Sequence, residues 1–588
     1  MRMHPAVTTL FTVLCCVLGY AGELRAQDAD SKKCGVPVSV GPGKQSIGPP
    51  NWFNKPILGY NDGTCLLFWN DQQADNDTSY LVRDAVYMQH VRADGYFQLP
   101  KGGVELTATV RKRAASRLSF LPVAAAQDVI GVFAHDGDSV WKAERFDSRG
   151  VRIWELERPL QGFFSHNSLL GACSDGHDGV ISVLMRPGLN VDRVDPGGKH
   201  GWGSNGFSIP TNTKGNSSYL LAIESDGRGG VYLMYYDNNS PGGGGEWLQP
   251  DTWLQRVSSD GMHWFPTGRL MCRWVETFGE CMSTDNNGNI VALATEQPHR
   301  NRLRLQKFSP AGTRLWDTAG VILYQSSHVN HFSAMIPDGT GGHFIAWYEY
   351  TGTNGDPIQP TYLRMQRINE SGRNLWGADG IQIATTWLNH WFRAPQLVSD
   401  QHGGVIVIWY TGNARKDSVV HESDIYMQRL DGNGSRVWGA EGRPLCEAEG
   451  DQEPVFAVSD ARGGAHVLWG DGYEGKNEWD VYYAHVTGDG LVSAAEATSP
   501  QSLGGHIEIA PSVVQGSARI TIATKPGERV KVSVYDLLGR EAAVLFEGEM
   551  AQTQRSFIFS GEEYGIGQYR LVLHAGTQSE ILSFMILR

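Results

Sequence analysis

Asp338-Gly-Thr-Gly-Gly-His-Phe-Ile-Ala-Trp347 is followed by Met365-Gln366-Arg367 and then by Gly372-Arg-Asn-Leu-Trp376. The same order returns further along the chain, as Asp400-Gln-His-Gly-Gly-Val-Ile-Val-Ile-Trp409, Met427-Gln428-Arg429 and Gly434-Ser-Arg-Val-Trp438. A phrase that returns at a regular period indicates stacked copies of one structural unit. The repeat therefore has to be interpreted before any single residue.

Three anchors recur along nearly the whole chain. An aspartate opens a glycine-containing turn, and the spacing of successive aspartates runs from 51 residues (Asp175 to Asp226) to 62 residues (Asp338 to Asp400). A glutamine precedes a glycine by six residues in the pairs Gln89 and Gly95, Gln255 and Gly261, Gln306 and Gly312, Gln366 and Gly372, and Gln428 and Gly434. Four residues after such a glycine stand the aromatic residues Trp154, Trp202, Phe265, Trp316, Trp376 and Trp438.

Each copy is predicted to form four short antiparallel strands. In the copy from 331 to 385, apolar or alternating runs at 332–336, 344–350, 362–368 and 375–383 are separated by turn residues, as in strands joined by hairpins. Repeated four-stranded units predict an all-β chain and a β-propeller, with a period near that of kelch-like blades. Units starting near residues 57, 120, 168, 218, 280, 331, 394 and 454 give eight blades. Because the second and third units are short and irregular, seven blades stays an alternative.

The two ends of the repeat region are predicted to meet. The segment Cys34-Gly-Val-Pro-Val-Ser-Val40 has the pattern of an outer strand without a blade, whereas the last unit has a poor outer strand at 491–495. We expect the N-terminal segment to complete the last blade, which closes the ring and removes free sheet edges.

The N-terminus and the charge balance indicate an exported protein. A basic start, an apolar run from Ala6 to Val17 and small residues up to Ala26 predict a signal peptide at 1–26, too short to span a membrane. No transmembrane segment is predicted elsewhere. The net charge of -13 argues against a nucleic-acid partner. The β-propeller is assigned to 27–500. Export permits disulfides, and a Cys272–Cys281 bridge is predicted because the two flank a short connection between units.

The Gly-x-x-x-Trp spacing resembles the tryptophan-docking repeats of quinoprotein-type propellers, which have eight blades. The resemblance implies that a Trp of one blade packs on a peptide plane of the next. The vicinal cysteines of the quinoprotein dehydrogenases have no counterpart in the mature chain, since Cys15 and Cys16 lie in the signal peptide, so no quinone cofactor is predicted. The repeated glutamine is interpreted as a buried amide bonded to strand backbone.

From residue 505 the repeat stops, and alternating short strands predict a small Ig-like β-sandwich at 505–588. Val532-Ser-Val-Tyr-Asp-Leu-Leu-Gly-Arg540, Gly565-Ile-Gly-Gln-Tyr-Arg-Leu571 and the terminal Met585-Ile-Leu-Arg588 resemble the type A C-terminal sorting domain of the type IX secretion system. The residues that carry the resemblance are Tyr535, Asp536, Gly539, Arg540, Gly567, Tyr569 and Arg588. The common Pro-Asn-Pro opening of that family is replaced here by Ala510-Pro511-Ser512.

The resemblance implies a route and a source. The chain would cross the inner membrane by its signal peptide and the outer membrane by the type IX machinery, which recognises the tail. The tail would then be cleaved, leaving the passenger extracellular or on the outer-membrane surface. The source would be a bacterium of the Bacteroidetes–Chlorobi group.

Candidate ligand residues lie in the connections into the innermost strands, where the copies differ most. If these segments converge on one face, indoles that stack on sugar rings would meet amides and carboxylates that bind hydroxyl groups. The speculative ligand-binding set is Trp52, His166, Asn167, His331, His390, Trp391, Arg393 and Glu453. The bland alternative is that these polar residues only satisfy turn backbone groups.

Three function classes stay open at this point. The favoured one is a binding module for extracellular carbohydrate or protein, and the second is a polysaccharide-degrading hydrolase or lyase using two of Glu276, Asp451 and Glu453. The third is a structural surface protein. No catalytic residue is assigned, no cofactor is predicted, and the spacing of His331, His390 and Glu453 does not require a metal. Asp285-Asn-Asn-Gly288 and Asp431-Gly-Asn-Gly434 resemble calcium loops without the acidic twelfth position, so turn chemistry is favoured over structural calcium.

Overall fold

The computed structural model describes residues 35–38, 44–46, 55–74, 81–100, 102–112, 118–135, 140–159, 169–186, 188–203, 206–210, 218–237, 251–264, 269–272, 281–296, 301–351, 360–386, 394–412, 423–448, 451–472, 479–493, 506–510, 513–515, 517–523, 527–536, 540–550, 554–561, 564–565, 567–575 and 578–587. No helix occurs within these ranges. The chain divides into two compact units, Met1–Glu496 and Ala497–Arg588.

The first unit contains eight antiparallel blades, named 1 to 8 in chain order; blade 1 has one additional strand, and a single residue pair, Ser423 with Asp451, links the sheets of blades 7 and 8. Ahead of them stands β1 (Val36–Pro37). Blade 1 has β2 (Lys44–Ser46), β3 (Ile57–Gly59), β4 (Cys65–Ala74), β5 (Leu81–Val91) and β6 (Val104–Lys112). Blade 2 has β7 (Leu118–Ala125), β8 (Asp128–His135), β9 (Val140–Phe146) and β10 (Arg152–Pro159). Blade 3 has β11 (Leu169–Ser174), β12 (Val180–Arg186), β13 (Gly188–Val194) and β14 (Phe207–Ser208). Blade 4 has β15 (Ser218–Ser225), β16 (Val231–Asp237), β17 (Asp251–Val257) and β18 (Arg269–Cys272).

The second half of the ring repeats the same order. Blade 5 has β19 (Cys281–Thr284), β20 (Ile290–Glu296), β21 (Arg302–Phe308) and β22 (Val321–Gln325). Blade 6 has β23 (Val329–Pro337), β24 (His343–Tyr350), β25 (Thr361–Ile368) and β26 (Ile381–Thr386). Blade 7 has β27 (Gln396–Ser399), β28 (Val405–Gly412), β29 (Ser423–Leu430) and β30 (Arg443–Cys446). Blade 8 has β31 (Asp451–Ser459), β32 (Ala465–Gly472), β33 (Trp479–Val486) and β34 (Val492–Ser493).

The first strand of each blade lines the centre of a closed ring. These innermost strands contact one another in the order β3, β7, β11, β15, β19, β23, β27, β31, and β31 contacts β3 again. The fold is therefore an eight-bladed β-propeller. The predicted starts of the units agree with the innermost strands within three residues, and the seven-blade alternative is wrong.

The N-terminal segment closes the ring as the sequence predicts. Val36 pairs with Tyr483 and Pro37 with Tyr482 on β33, and the Val38 amide donates to the Val481 carbonyl at 2.9 Å. Val38 is fully buried. β34 pairs with the remaining end of the same strand, so the outer edge of blade 8 is shared by the two ends of the ring.

The second strand of each blade is a continuous apolar run because both faces of a blade are covered by its neighbours. Val405 to Tyr410 are all buried, and so are Phe344 to Tyr348. The outer strand of blade 6 begins at Ile381 rather than at Leu375. Gly377 and Gly380 have φ values of 81° and 67°, which a side-chain-bearing residue rarely adopts, and this turn separates Trp376 from the strand.

Each repeated aspartate holds a turn together and also bonds a nitrogen-bearing side chain on the third strand, which is arginine or lysine in blades 3 to 7 and His485 in blade 8. Asp338 Oδ1 accepts hydrogen bonds from the amides of Thr340 at 2.8 Å and Gly342 at 2.9 Å. Asp338 Oδ2 pairs with Arg367 at 2.9 Å. The corresponding pairs elsewhere are Asp175–Arg193, Asp226–Arg256, Asp285–Lys307, Asp400–Arg429 and Asp460–His485. Turn chemistry thus accounts for Asp285, and likewise for Asp431, whose Oδ1 accepts from Asn433 and Ser435 amides.

The repeated glutamine bonds strand backbone, as the sequence predicts. Gln366 Nε2 donates to the Gly377 carbonyl at 2.8 Å, and its Oε1 accepts from the amides of Arg367 and Trp376. Gln428 forms the same three bonds in blade 7. The amide group fixes the turn that leads to the outer strand.

The repeated tryptophans link neighbouring blades. Trp376 Nε1 donates to the Gly432 carbonyl of blade 7 at 3.2 Å, and Arg367 Nη1 donates to the same oxygen at 2.8 Å. The other indole bonds are Trp154 to Pro196, Trp202 to Ser259, Trp264 to Pro310, Trp316 to Glu370 and Trp438 to Gly488.

In blade 4 the docked indole is Trp264, one residue before the Phe265 that the glycine spacing singles out; Phe265 lies outside the described residues. The Trp264 amide donates to Gln255 Oε1 at 3.0 Å. The Trp376 amide makes the equivalent hydrogen bond to Gln366 Oε1 in blade 6. The stretch between glycine and indole is therefore one residue shorter in this blade.

The contact between blades 8 and 1 is built differently. His466 Nε2 donates to the Gly63 carbonyl of blade 1 at 2.8 Å, while its Nδ1 accepts from the Tyr483 hydroxyl at 2.7 Å. Because a carbonyl can only accept, His466 is the neutral Nε2–H tautomer. His466 holds the position that Tyr232 holds in blade 4, where the hydroxyl donates to the Gly288 carbonyl of blade 5 at 2.9 Å, and His485 stands where other blades have arginine or lysine.

The second unit is a sandwich of two sheets. Its strands are β35 (His506–Ala510), β36 (Val513–Gln515), β37 (Ser517–Ala523), β38 (Arg529–Asp536), β39 (Glu541–Glu549), β40 (Gln554–Ser560), β41 (Gly567–Ala575) and β42 (Gln578–Leu587). One sheet has the order β35-β37-β40 and the other β36-β42-β41-β38-β39. Alternate residues such as Val530, Val532, Val534, Leu571 and Leu573 fill the core between them.

Candidate functional site

The two faces of the propeller differ. One, the turn face, carries the turns between first and second strands, for example 338–342 and 400–404. The opposite face, the loop face, carries the beginnings of the first and third strands of each blade. The second strands end there. The segments that join strands there, such as 238–250, 352–359, 387–393 and 413–422, lie outside the described residues. The strand ends that adjoin them all belong to one face, as the sequence analysis requires.

Most of the predicted ligand set cannot be compared with the structure. Trp52, His166, Asn167, His390, Trp391 and Arg393 lie outside the described residues. The backbone places His331 near the start of β23 in blade 6 and Glu453 near the start of β31 in blade 8. Both positions are at the loop-face ends of innermost strands. Their role in binding stays a prediction.

A polar cluster at the loop face surrounds Glu349 at the end of β24. The Glu349 carboxylate accepts from the Tyr324 hydroxyl at 3.0 Å, and Arg364 Nε donates to its other oxygen at 2.5 Å. His328 Nδ1 lies 3.0 Å from Glu349 Oε1. The Glu349 side chain is 3% exposed and that of His328 is 39% exposed. We call these four residues the Glu349 cluster.

The electrostatics of the Glu349 cluster keep its carboxylate charged. Burial by itself would raise the pKa of Glu349, but the bonds from His328 and Arg364 outweigh burial and hold that pKa below its ordinary value. Burial and the adjacent carboxylate raise the pKa of Tyr324 to about 12, so its hydroxyl donates at neutral pH. Since the buried carboxylate faces Nδ1, the imidazole has a fixed orientation, with Nε2 on the far side of the ring.

A second polar group lies in the central channel. Glu224 is the second-last residue of β15 in blade 4, and its Oε1 accepts from the Thr284 hydroxyl of blade 5 at 3.0 Å. Burial raises the pKa of the Glu224 carboxyl, and the bonds from Thr284 partly offset this effect. Neither residue was singled out from sequence. The available signal was a carboxylate within an otherwise apolar innermost strand.

The described residues contain no group of three or more His, Cys, Asp or Glu placed to hold a metal ion. Within the described ranges, no helix is long and apolar enough to cross a membrane. Cys272 ends the outermost strand of blade 4 and Cys281 begins the innermost strand of blade 5. Their pairing stays a prediction.

The three tail motifs, distant in sequence, lie on adjacent strands of one sheet. Tyr535 pairs with Arg570 and Asp536 with Tyr569 between β38 and β41. Gly567 pairs with Ile586 between β41 and β42. The motif residues therefore collect at one end of the five-stranded sheet. Gly539 and Arg588 lie outside the described residues, and Arg540 is exposed.

No family model and no curated protein matches the chain. Among solved structures, a copper-bound fungal alcohol oxidase of the AA5 family is 11% identical, with 95% of this chain and 100% of that chain covered and a TM-score of 0.30. PorZ of Porphyromonas gingivalis, a surface component of the type IX secretion system, is 11% identical over 96% and 88%, with a TM-score of 0.17. A Bombyx mori GH32 β-fructofuranosidase is 10% identical over 61% and 84%, with a TM-score of 0.27. Similarities this low carry no argument about activity, ligand or partner.

Proposed function

We propose that this chain is a secreted or surface-displayed β-propeller that the type IX machinery exports by means of the C-terminal unit. The passenger then binds extracellular carbohydrate or protein at its loop face. The observation that carries the export part is the convergence of the three tail motifs on neighbouring strands. The binding part is supported by the Glu349 cluster on the loop face.

Recognition by the export machinery is proposed for Tyr535, whose hydroxyl lies at the surface, whereas the motif residue Tyr569 packs against the sandwich core. The core of the sandwich is filled by Val530, Val532 and Val534 on one strand and by Leu571 and Leu573 on another. In contrast, the Tyr535 hydroxyl bonds Glu541 Oε2 at 3.0 Å at the surface. A patch of polar side chains that the core does not need is what a receptor can read.

Export is tested in a type IX-competent bacterium of the Bacteroidetes–Chlorobi group. The full chain is compared with a chain lacking 505–588 and with Ile558→Ser, a matched change at an exposed site on the other sheet, where Ile558 is 65% exposed. We expect the full chain and Ile558→Ser outside the cell with a new C-terminus near residue 500, and the truncated chain in the periplasm. Equal export of the truncated chain would refute the proposal.

Binding at the loop face is supported by the rigidity of the Glu349 cluster. A half-exposed imidazole held by a buried, ionised carboxylate has lost its rotamer freedom before a ligand arrives, which lowers the entropy cost of binding. Removing the imidazole should weaken binding about tenfold, the effect of one lost hydrogen bond to a ligand.

The test incubates the protein with a panel of soluble and insoluble polysaccharides and measures bound protein and new reducing ends in the same tubes. The proposal is supported if the protein binds without producing new reducing ends and if His328→Ala weakens this binding. The control is His177→Ala, which changes an exposed histidine on the turn face and should leave binding unchanged. New reducing ends would instead indicate the enzyme alternative with Glu276, Asp451 and Glu453. Absence of both would favour a protein partner or a structural surface role.

A further inference from the structure

We propose that the Glu349 cluster binds an acidic sugar unit of a polysaccharide, with the anionic group of the sugar on the terminal nitrogens of Arg364 and a sugar hydroxyl group on His328 Nε2. The anionic group is a carboxylate or a sulfate ester. This inference rests on the proposed function in one respect, the binding of carbohydrate at the loop face. It adds the kind of sugar and the atoms that recognise it.

The first argument is that Arg364 is held in place but keeps free donors. Its Nε donates to Glu349 at 2.5 Å, and its central carbon lies 5.3 Å from the ring centre of Tyr324 and 5.8 Å from that of Tyr362. Among the described residues no group bonds its two terminal nitrogens, and neither nitrogen is buried. A fixed guanidinium with free N–H groups suits an oxyanion.

The neighbouring blade shows the same side chain with its donors used. Arg304 in β21 has the register position of Arg364 in β25, two residues before the repeated glutamine of each blade. Its guanidinium bonds Glu296 through Nε and, at 3.3 Å, through Nη2, while Nη1 donates to the Ala319 carbonyl. Arg304 therefore completes a contact inside the protein, whereas the terminal nitrogens of Arg364 stay open to a ligand.

The second argument is the polarity of His328. An ionised carboxylate can only accept, so the Nδ1 that lies 3.0 Å from Glu349 Oε1 carries the proton. In the neutral imidazole Nε2 is then an acceptor. Within the described part of the chain nothing bonds this Nε2, and it is not buried. An acceptor at this position matches a sugar hydroxyl group, which donates.

The two recognition groups can serve one sugar. His328 and Arg364 bond opposite oxygens of the same carboxylate, so both side chains can contact the same short oligosaccharide. A uronic acid or a sugar sulfate carries an anionic group and hydroxyl groups on one ring, and it supplies both kinds of partner. A neutral sugar offers Arg364 no charge-assisted bond.

The charges around the cluster favour an anion. At the loop-face ends of the described strands in blades 5 and 6, Arg302 and Arg304 pair with Glu296, and Arg364 pairs with Glu349. Three arginines against two carboxylates leave one positive charge there, in a chain whose net charge is -13. A sugar unit with a single negative charge neutralises this excess.

The experiment measures binding to the full chain by isothermal titration calorimetry. The acidic probes are oligogalacturonate and a sulfated oligogalactose of equal length, and their neutral counterparts are the methyl ester of the first and the unsulfated form of the second. We expect at least one acidic probe to bind about tenfold or more tightly than its own neutral counterpart, because of the charge-assisted bond. The pair that shows the preference identifies the anionic group. No preference in either pair, or no binding of either acidic probe, would overturn the proposal.

Variants separate the two contacts. Arg364→Lys keeps a cation beside Glu349 but loses the free terminal nitrogens, so it should abolish the preference for the acidic probe. Arg304→Lys is the matched control in blade 5 and should leave the preference unchanged. His328→Ala should weaken the acidic probe and its neutral counterpart by a similar factor, since it removes a hydroxyl contact rather than the charge. An unchanged preference in Arg364→Lys, at a melting temperature equal to that of the unaltered protein, refutes the assignment.

Failure of this inference is distinguishable from failure of the proposed function. If acidic and neutral polysaccharides are retained equally and His328→Ala lowers the retention of both, the loop-face site stands and its preference for acidic sugars is refuted. If no polysaccharide is retained, carbohydrate binding at the loop face and the acidic-sugar site are both refuted.

Discussion

Replacing Arg367 with methionine removes a guanidinium group that joins two blades while keeping most of the side-chain volume. Arg367 pairs with Asp338 in its own blade at 2.9 Å, donates to the Gly432 carbonyl of blade 7 at 2.8 Å, and stacks over the Phe344 ring. The Asp338 side chain is fully buried and that of Arg367 is 16% exposed. The variant therefore leaves a buried carboxylate without its counter-charge.

The cost follows from these contacts. Breaking a buried ion pair by removing one partner costs about 3–5 kcal/mol. Asp338 keeps its bonds from Thr340 and Gly342, and Gly432 keeps its bond from Trp376, so the low end of that range applies. Loss of the stacking on Phe344 adds about 0.5 kcal/mol. We expect the free energy of unfolding to fall by about 3 kcal/mol.

The pH dependence gives a second measure of the same pair. Burial alone would raise the pKa of Asp338, but the bonds from Thr340 and Arg367 hold it below its ordinary value. A depressed carboxyl pKa contributes stability that is present above the unfolded pKa and is lost as the pH falls through the folded one. Arg367→Met should therefore lose less of its stability on acidification below pH 4 than the unaltered protein, at about the ordinary carboxyl pKa.

The assay is urea unfolding followed by tryptophan fluorescence, with Arg149→Met as the matched control. Arg149 also pairs with an aspartate, Asp147, but its side chain is 77% exposed, so its loss should leave the free energy of unfolding nearly unchanged. The double variant Asp338→Asn/Arg367→Met should lose less than the sum of its single variants. Equal effects of Arg367→Met and Arg149→Met, or strict additivity, would refute the reasoning.

Three further outcomes are expected. Trp376→Phe removes the indole N–H that bonds the Gly432 carbonyl together with part of a buried ring, and should lower the unfolding free energy by at least about 1 kcal/mol in urea titrations; no change would mean that neither the bond nor the larger ring stabilises the contact. Val38→Asp places a carboxylate at the fully buried site where the N-terminal strand closes blade 8, so limited proteolysis should cut blade 8 faster than in the unaltered protein, and Val492→Asp, at an exposed site, should not. Burial lowers the pKa of His466 to about 4, so its contribution to stability is present above pH 6.5 and is lost as the pH falls towards 4, by at most about 3 kcal/mol. His466→Gln should show a smaller loss between neutral pH and about pH 4.5 in the same titrations, and an identical loss would exclude His466 as the acid-sensitive group.

The sequence predicted the blades well because the marks of a blade are local. The aspartate turn, the glutamine and the glycine each act on backbone within about a dozen residues, so their spacing is visible without a tertiary structure. Asp338 bonds Thr340 and Gly342, and Gln366 bonds Gly377. In blade 4 the indole that bonds the next blade is Trp264, three residues after Gly261 instead of four, so this local pattern is one residue shorter there.

The candidate site was predicted less well because its contacts join different strands of blade 6 and, through Tyr324, the neighbouring blade 5. The sequence drew attention to the segment around His328, but not to Glu349, Tyr324 or Arg364, which come from three different strands. Most of the other predicted ligand residues lie outside the described residues, and their convergence stays a prediction.

By itself the sequence determined that this protein is a repeat of four-stranded units with a separate β-sandwich at its end, since strand periodicity and turn residues are properties of short windows. Only the tertiary structure decided how the ring closes on β33 and which carbonyl each indole meets in the next blade. It also decided that Glu224 of blade 4 accepts a hydrogen bond from Thr284 of blade 5, 60 positions further along the chain. These pairings are set by how many blades fit around one axis, a packing result that no local window contains.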